Sequence, residues 1–87
     1  MLLKIPAMAQ FVERIAIEWY EVQAGRVHVR KGHPSHLKVN ALKKLFTEEK
    51  LPAITSFWTT KDRCIHFKLN FPQHLRPAVR AIVDPQR

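Results

Sequence analysis

The sequence predicts an α+β fold: tandem ββα repeats (ββαββα), with or without an N-terminal helix, forming one four-stranded antiparallel sheet with the helices on one face. The first supporting observation is a gap-free self-match at an offset of 38 residues. The second is alternation of apolar and polar residues in the matched segments, which is typical of half-buried strands. A single strand pair with its helix cannot close a core, so two copies would share one. The matches are Trp19-Tyr20 with Phe57-Trp58, Val27–Arg30 with Ile65–Lys68, and Pro34, His36, Leu37 and Lys38 with Pro72, His74, Leu75 and Arg76.

The length of 87 residues suits one domain, which we expect to span 1–87 with repeat copies at 16–53 and 54–87. A hydrophobic fraction of 46% favours a folded domain over a disordered basic tail.

The first copy is predicted to open with a hairpin. Ile15 to Val22 is rich in β-branched and aromatic residues, and Arg26 to Lys31 alternates apolar and polar positions. Gly25 lies between them and can supply the positive φ of a tight turn. The Ala and Glu content also permits a helix from Ala7 to Ala24, but the internal match favours the hairpin, preceded by a short helix over 6–14.

The second copy repeats this pattern. Ile54 to Thr60 predicts a strand, and Lys61-Asp62-Arg63 predicts a turn. Cys64 to Phe71 alternates strictly and is the clearest strand pattern in the chain, with Leu69 on its apolar side.

A helix is predicted after each hairpin. The first begins near Pro34-Ser35, where Ser35 is a suitable N-cap, and the second begins near Pro72 and ends at Asp84-Pro85. The segment 47–53, which includes Pro52, connects the copies. The residues expected to face inward are Leu37, Ala41, Leu42, Leu45 and Phe46 in the first helix, and Leu75, Ala78, Val79, Ile82 and Val83 in the second.

The charge balance indicates a polyanionic partner. The formal net charge is +8 and the sequence pI is about 10.3, so nucleic acid is the leading candidate.

The predicted interface is the sheet face that the helices leave open. Strand periodicity places the basic residues shared by the two copies on that face, and exposed aromatic rings beside them could stack on bases. If Ile17 is buried, Trp19 and Phe57 take the core side and Tyr20 and Trp58 point outward. Which member of each pair points outward nevertheless stays open in the sequence. The candidate nucleic-acid-binding residues are Tyr20, Arg26, His28, Arg30, Trp58, Lys61, Arg63, His66 and Lys68.

Other kinds of site and location are disfavoured. Cys64 is the only cysteine, which excludes an intramolecular disulfide and favours a reducing compartment. No cofactor, metal site or catalytic residue is predicted, because no phosphate-binding glycine loop or metal-ligand spacing occurs. The short, broken apolar stretch over 1–10 does not predict a signal peptide, and no run is long enough to cross a bilayer. We therefore expect a cytoplasmic or nuclear protein that is not secreted and has no membrane partner.

An enzymatic alternative uses two histidines. His28 and His66 are equivalent in the repeat and, on neighbouring strands, could act as base and acid in phosphodiester cleavage. The elements His28-Val29-Arg30 and His66-Phe67-Lys68 resemble the duplicated elements of two-histidine phosphoesterases, but they lack the hydroxyl residue of that family.

Two further alternatives concern partners. The predicted order α-ββ-α-ββ-α is similar to the topology of LAGLIDADG-type DNA-binding domains, and this resemblance implies duplex DNA as a ligand. It does not extend to cleavage, because 7–14 lacks the paired glycines and the catalytic acid. An interaction module is the other alternative, with exposed Tyr20 and Trp58 buried in a homodimer or in a larger complex that this chain serves as accessory subunit.

Overall fold

Helices and strands follow one another in the order αββαββα, as the sequence predicts with its N-terminal helix included. The computed structural model describes residues 7–51 and 53–84, so the predicted roles of Pro6, Pro52 and Pro85 lie outside the described residues. The elements are α1 (Ala7–Ile15), β1 (Glu18–Gln23), β2 (Arg26–Lys31), α2 (His36–Glu48), β3 (Thr55–Thr59), β4 (Ile65–Phe67) and α3 (Arg76–Val83), with a 3-10 turn at Gln73–Leu75.

The four strands form one antiparallel sheet in the order β2-β1-β3-β4, which confirms the α+β class. The strands β1 and β3 are therefore central, and β2 and β4 form the two edges. Trp19 lies opposite Trp58, and Tyr20 lies opposite Phe57. Directly opposite residues share a sheet face, so the tryptophans occupy one face and the Tyr20-Phe57 pair occupies the other.

The face that carries Tyr20 and Phe57, here called the core face, is covered by α2 and α3. The helical positions that complete its buried cluster are Leu42, Phe46, Leu75, Val79 and Val83. Leu37 was expected inward but is 83% exposed, because it lies five residues before Leu42 and so points about 140° around the helix from the side that Leu42 and Phe46 bury. Ser35 is the N-cap of α2, as predicted, and its hydroxyl accepts a hydrogen bond from the Lys38 N–H at 3.2 Å.

The first hairpin closes with a two-residue turn. Ala24 and Gly25 have φ values of 50° and 78°, the left-handed pair that a tight hairpin uses. Gly32, just after β2, has a φ of 92°, and a Cβ there would lie 2.6 Å from the Ile17 carbonyl oxygen. Gly25 lets the chain turn tightly from β1 into β2, and Gly32 lets it pass close to the residue that precedes β1.

The strand β4 is shorter than the sequence predicts. It covers three residues instead of 64–71, because the chain turns after Lys68, with the Phe71 N–H donating to the Lys68 carbonyl at 2.9 Å. The Asn70 side chain holds this turn against the start of β3, since its amide donates to the Ile54 carbonyl at 2.9 Å. Leu69, expected in the core, is 97% exposed, whereas Phe71 returns to the core at 2% exposure.

The gap-free repeat match does not hold in the central strands. It equates Trp19 with Phe57, but the strand pairing places these two residues on opposite faces. In the edge strands the match is consistent with the faces, since Val29 pairs with Tyr20 and Phe67 pairs with Phe57.

Candidate nucleic-acid interface

The centre of the sheet face opposite α2 and α3, here called the outer face, carries a row of four side chains that crosses all four strands. The row consists of Arg30, Trp19, Trp58 and His66 and is here called the tryptophan row. The Arg30 guanidinium carbon lies 5.1 Å from the centroid of the Trp19 ring. The His66 ring stacks on the Trp58 ring, with centroids 5.9 Å apart and planes 20° apart. A cationic residue and an imidazole therefore flank two adjacent indoles.

The helix α1 covers the middle of this row. Val12 and Ala16 form a separate buried cluster with Trp19 and Trp58, which are 9% and 8% exposed. The Lys31 ammonium donates a hydrogen bond of 2.7 Å to the Glu13 carbonyl near the end of the helix. The expectation of an open face with all helices on the other side is therefore wrong at the centre of the sheet, because α1 shields the apolar rings there from water.

Tyr20, predicted on the interface, lies on the core face instead. Its ring is fully buried on the core face and stacks on Phe57, with centroids 4.9 Å apart. Its hydroxyl donates to a Glu18 carboxylate oxygen at 2.5 Å, and the Lys38 ammonium lies 3.4 Å from the same oxygen. Burial is the main reason that the pKa of Tyr20 is raised well above its ordinary value, and the hydrogen bond to Glu18 raises it further.

The Tyr20 error has a local cause. The sequence predicted Trp19 inward on the condition that Ile17 is buried, but Ile17 is 49% exposed. The β-bulge in the β1–β2 pairing does not contribute to the error, because its extra residue, Arg30, lies in β2. Trp58 lies on the predicted face but is buried under α1. The interaction-module alternative therefore loses the two exposed aromatics on which it depended.

One edge of the outer face carries the predicted basic residues of β2. Arg26, His28 and Arg30 are all exposed, as expected. Arg30 pairs with Glu21 across the strands, with a guanidinium nitrogen 3.1 Å from a carboxylate oxygen. Within residues 7–51 and 53–84, Arg26 has no carboxylate within ion-pairing distance. This edge therefore presents positive charge to solvent.

The opposite edge carries the remaining predicted residues. Lys61, Arg63, His66 and Lys68 are all exposed on β4 or in its flanking turns. Arg63 pairs with Asp84, with a guanidinium nitrogen 3.7 Å from a carboxylate oxygen.

Asp62 organises the turn before β4. Its carboxylate accepts hydrogen bonds from the Thr60 hydroxyl and, at 3.3 Å, from the Cys64 N–H. These hydrogen bonds lower the pKa of Asp62, and the bond from Thr60 has the largest effect. The Thr60 hydroxyl also lies 3.2 Å from His66 Nε2, so the turn orients the histidine at the end of the tryptophan row.

Two grooves flank β4. One, of about 570 Å³, lies between α1 and the turn before β4 and includes Arg14, Lys61 and His66 in its lining. The other, of about 760 Å³, runs along β4 and brings Lys68 together with Arg76 and Arg80 of α3. Both guanidiniums lie over the Phe67 ring, each 5.1 Å from its centroid.

The sequence prediction omitted Arg76 and Arg80. Their spacing of four residues places them on the same flank of α3, a signal that was present in the sequence. The sequence does not show that this flank lies beside β4, because that depends on how α3 packs on the sheet.

The two histidines of the enzymatic alternative are not close to each other. His28 lies on β2 and His66 on β4, at opposite edges of the sheet rather than on neighbouring strands. Three inter-strand steps of about 4.8 Å separate these strands by about 14 Å, too far for both side chains to act on one phosphodiester. Over the described ranges 7–51 and 53–84, no three His, Cys, Asp or Glu side chains are grouped so as to hold a metal ion.

No helix in the described part of the chain is long and apolar enough to cross a membrane. Comparison of the chain with protein-family models, with curated proteins and with solved structures gives no match in any of the three.

Proposed function

We propose that this protein binds nucleic acid, without catalysing a reaction on it, through the basic edges of the outer face. The observation that carries the proposal is that all seven basic or histidine residues that the sequence predicted at this interface are exposed, on or next to the edge strands β2 and β4. They are Arg26, His28, Arg30, Lys61, Arg63, His66 and Lys68. One of them, Arg63, pairs with Asp84 at the end of α3 and so lies toward the core-face side of its edge.

The charge of the chain supports this proposal. The net charge is +8, and the described acids near the outer face are few: Glu21 pairs with Arg30, Asp62 accepts hydrogen bonds within its own turn, and Glu13 is exposed on α1. Lys68, Arg76 and Arg80 add positive charge along the β4 groove. Cations in this arrangement can neutralise successive phosphates of a backbone and release its counterions on binding.

The internal repeat belongs to the same proposal, with a corrected alignment. We infer that 16–53 and 54–87 are two copies of one ββα unit. Equivalent residues are 38 positions apart in the edge strands, as with Val29 and Phe67, and one position fewer apart in the central strands, as with Tyr20 and Phe57. The core-face pairs Tyr20–Val29 and Phe57–Phe67 are then equivalent. The connections support this, since the first hairpin turns through two residues and the second through residues 60–64, which leaves room for one inserted residue.

Charge reversal at both edges tests the function. The variant Arg26→Glu/Lys68→Glu alters one exposed residue at each edge, and neither residue has an acidic partner among the described residues. We expect fluorescence anisotropy with labelled DNA and RNA oligonucleotides to show loss of binding, with the circular dichroism spectrum unchanged. Wild-type affinity should also fall steeply as salt concentration rises.

The matched control is Lys44→Glu/Lys50→Glu. It makes the same change in net charge at two exposed positions, one on α2 and one just after it, away from the outer face. Retained binding by the control locates the interface on the outer face. Equal loss in both variants would mean that net charge alone attracts the nucleic acid, and wild-type binding by Arg26→Glu/Lys68→Glu would refute the proposed function.

A further inference from the structure

We propose that the ligand is single-stranded nucleic acid, and that its unpaired bases displace α1 and stack on Trp19 and Trp58. This inference rests on the proposed function and adds to it a ligand class, a binding residue that the sequence did not select (Trp19) and a covering element. It assigns to the edges the contacts with phosphates, and to the tryptophan row the contacts with bases.

The cover that α1 provides leaves polar groups unsatisfied. The indole N–H groups of both Trp19 and Trp58 are buried and have no hydrogen-bond partner among the described residues. A buried donor without a partner is unfavourable relative to one that is solvated or paired. The closed arrangement therefore hides two donors that a bound nucleotide, with its many acceptors, can satisfy.

The contacts of α1 with the sheet are described for the second half of the helix, from Phe11 to Ile15. There Val12 joins the buried cluster, together with Ala16 in the turn that follows the helix. One side-chain bond, from Lys31 to the Glu13 carbonyl, adds to this. Just after the helix the backbone is held to β3, since the Ile17 N–H donates to the Thr59 carbonyl at 2.8 Å. The helix can consequently leave the rings while β1 stays in the sheet.

The row beneath α1 has the composition of a stacking surface. Its two central members are indoles on adjacent strands, and aromatic rings in this position on a sheet stack on exposed bases. Arg30 lies over the Trp19 ring and the His66 ring is stacked on the Trp58 ring, so each indole already makes the kind of contact that a base would make. The bases of an intact duplex are paired and stacked on each other, so the row favours single strands over duplexes.

A pair of alanine variants on α1 tests the displacement. Val12→Ala removes two methyl groups from the buried cluster, whereas Phe11→Ala alters the neighbouring side chain, which is 57% exposed. Weakening the closed state should raise the affinity of Val12→Ala for a labelled oligothymidylate by up to about tenfold. We expect Phe11→Ala to bind it like wild type, and neither variant to gain affinity for a duplex of the same length.

Intrinsic fluorescence gives a second readout, because Trp19 and Trp58 are the only tryptophans in the chain. Acrylamide should quench Val12→Ala more strongly than Phe11→Ala in the absence of nucleic acid, and oligothymidylate should quench the emission of the wild type as bases stack. Wild-type affinity and wild-type quenching in folded Val12→Ala would overturn the inference while leaving the proposed function intact. Failure of the wild type to bind any oligonucleotide at low salt would instead refute the proposed function.

Discussion

The two faces of the sheet bury aromatic rings of similar size but treat their polar atoms differently. On the core face, the Tyr20 hydroxyl donates to Glu18, which Lys38 also contacts. On the outer face, the indole N–H groups of Trp19 and Trp58 are buried without partners among the described residues. Burial with satisfied polar groups favours a permanent core, whereas burial with unsatisfied ones favours a removable cover.

The largest expected effect is on the core face, at Phe57. Its ring is fully buried and lies within 6.3 Å, centroid to centroid, of Tyr20, Phe46, Phe67 and Phe71. We expect Phe57→Ala to lower the free energy of unfolding by about 3–5 kcal/mol, because it leaves a cavity between the sheet and both helices. Urea denaturation followed by circular dichroism measures this change, and a loss below about 1 kcal/mol would mean that the core face is not the main source of stability.

The next effect concerns the Tyr20 hydroxyl. Tyr20→Phe should lower the free energy of unfolding by about 1–2 kcal/mol, since the bond to the Glu18 carboxylate is lost. Thermal and urea denaturation at neutral pH measure it. Unchanged stability would show that the polar atoms of the core face contribute no more than those of the outer face.

The same hydroxyl predicts a dependence on alkaline pH. The pKa of Tyr20 is raised in the folded state above its ordinary value of 10.0, so folding favours the protonated phenol. This contribution to stability is complete below about pH 10 and is lost as pH rises further, because only the unfolded chain then releases the proton readily. Absorbance at 295 nm follows this single tyrosine, and Tyr20→Phe should lose less stability than wild type between neutral pH and pH values above 10.

The smallest effect is expected on the outer face. Trp58→Phe keeps an aromatic ring under α1 and removes an N–H that has no partner among the described residues. We expect the free energy of unfolding to change by less than about 1 kcal/mol, because the lost packing is offset by removal of the unsatisfied donor. A loss as large as that of Phe57→Ala, measured in the same urea series, would mean that both faces are equally part of the core.

Much of the local structure was predictable from the sequence. Alternation identified β2 with its observed bounds, and Ser35 identified the start of α2. The strand β4 was predicted too long because alternation continues past Lys68, where Asn70 and the turn to Phe71 end the pairing. Alternation in the sequence indicates which residues could face one side of a strand, but it does not indicate where the strand stops pairing with its neighbour.

The sequence by itself determined the class of the fold and the residues whose charge is exposed, because periodicity, turn residues and ionisable groups act locally. The tertiary structure alone decided which aromatic ring each face receives, since a shift of one residue in the pairing of β1 with β3 exchanges the faces. It also decided that α1 lies over the tryptophans and that His28 and His66 are far apart. These outcomes depend on strand order and on packing between segments distant in the chain, which no local pattern records.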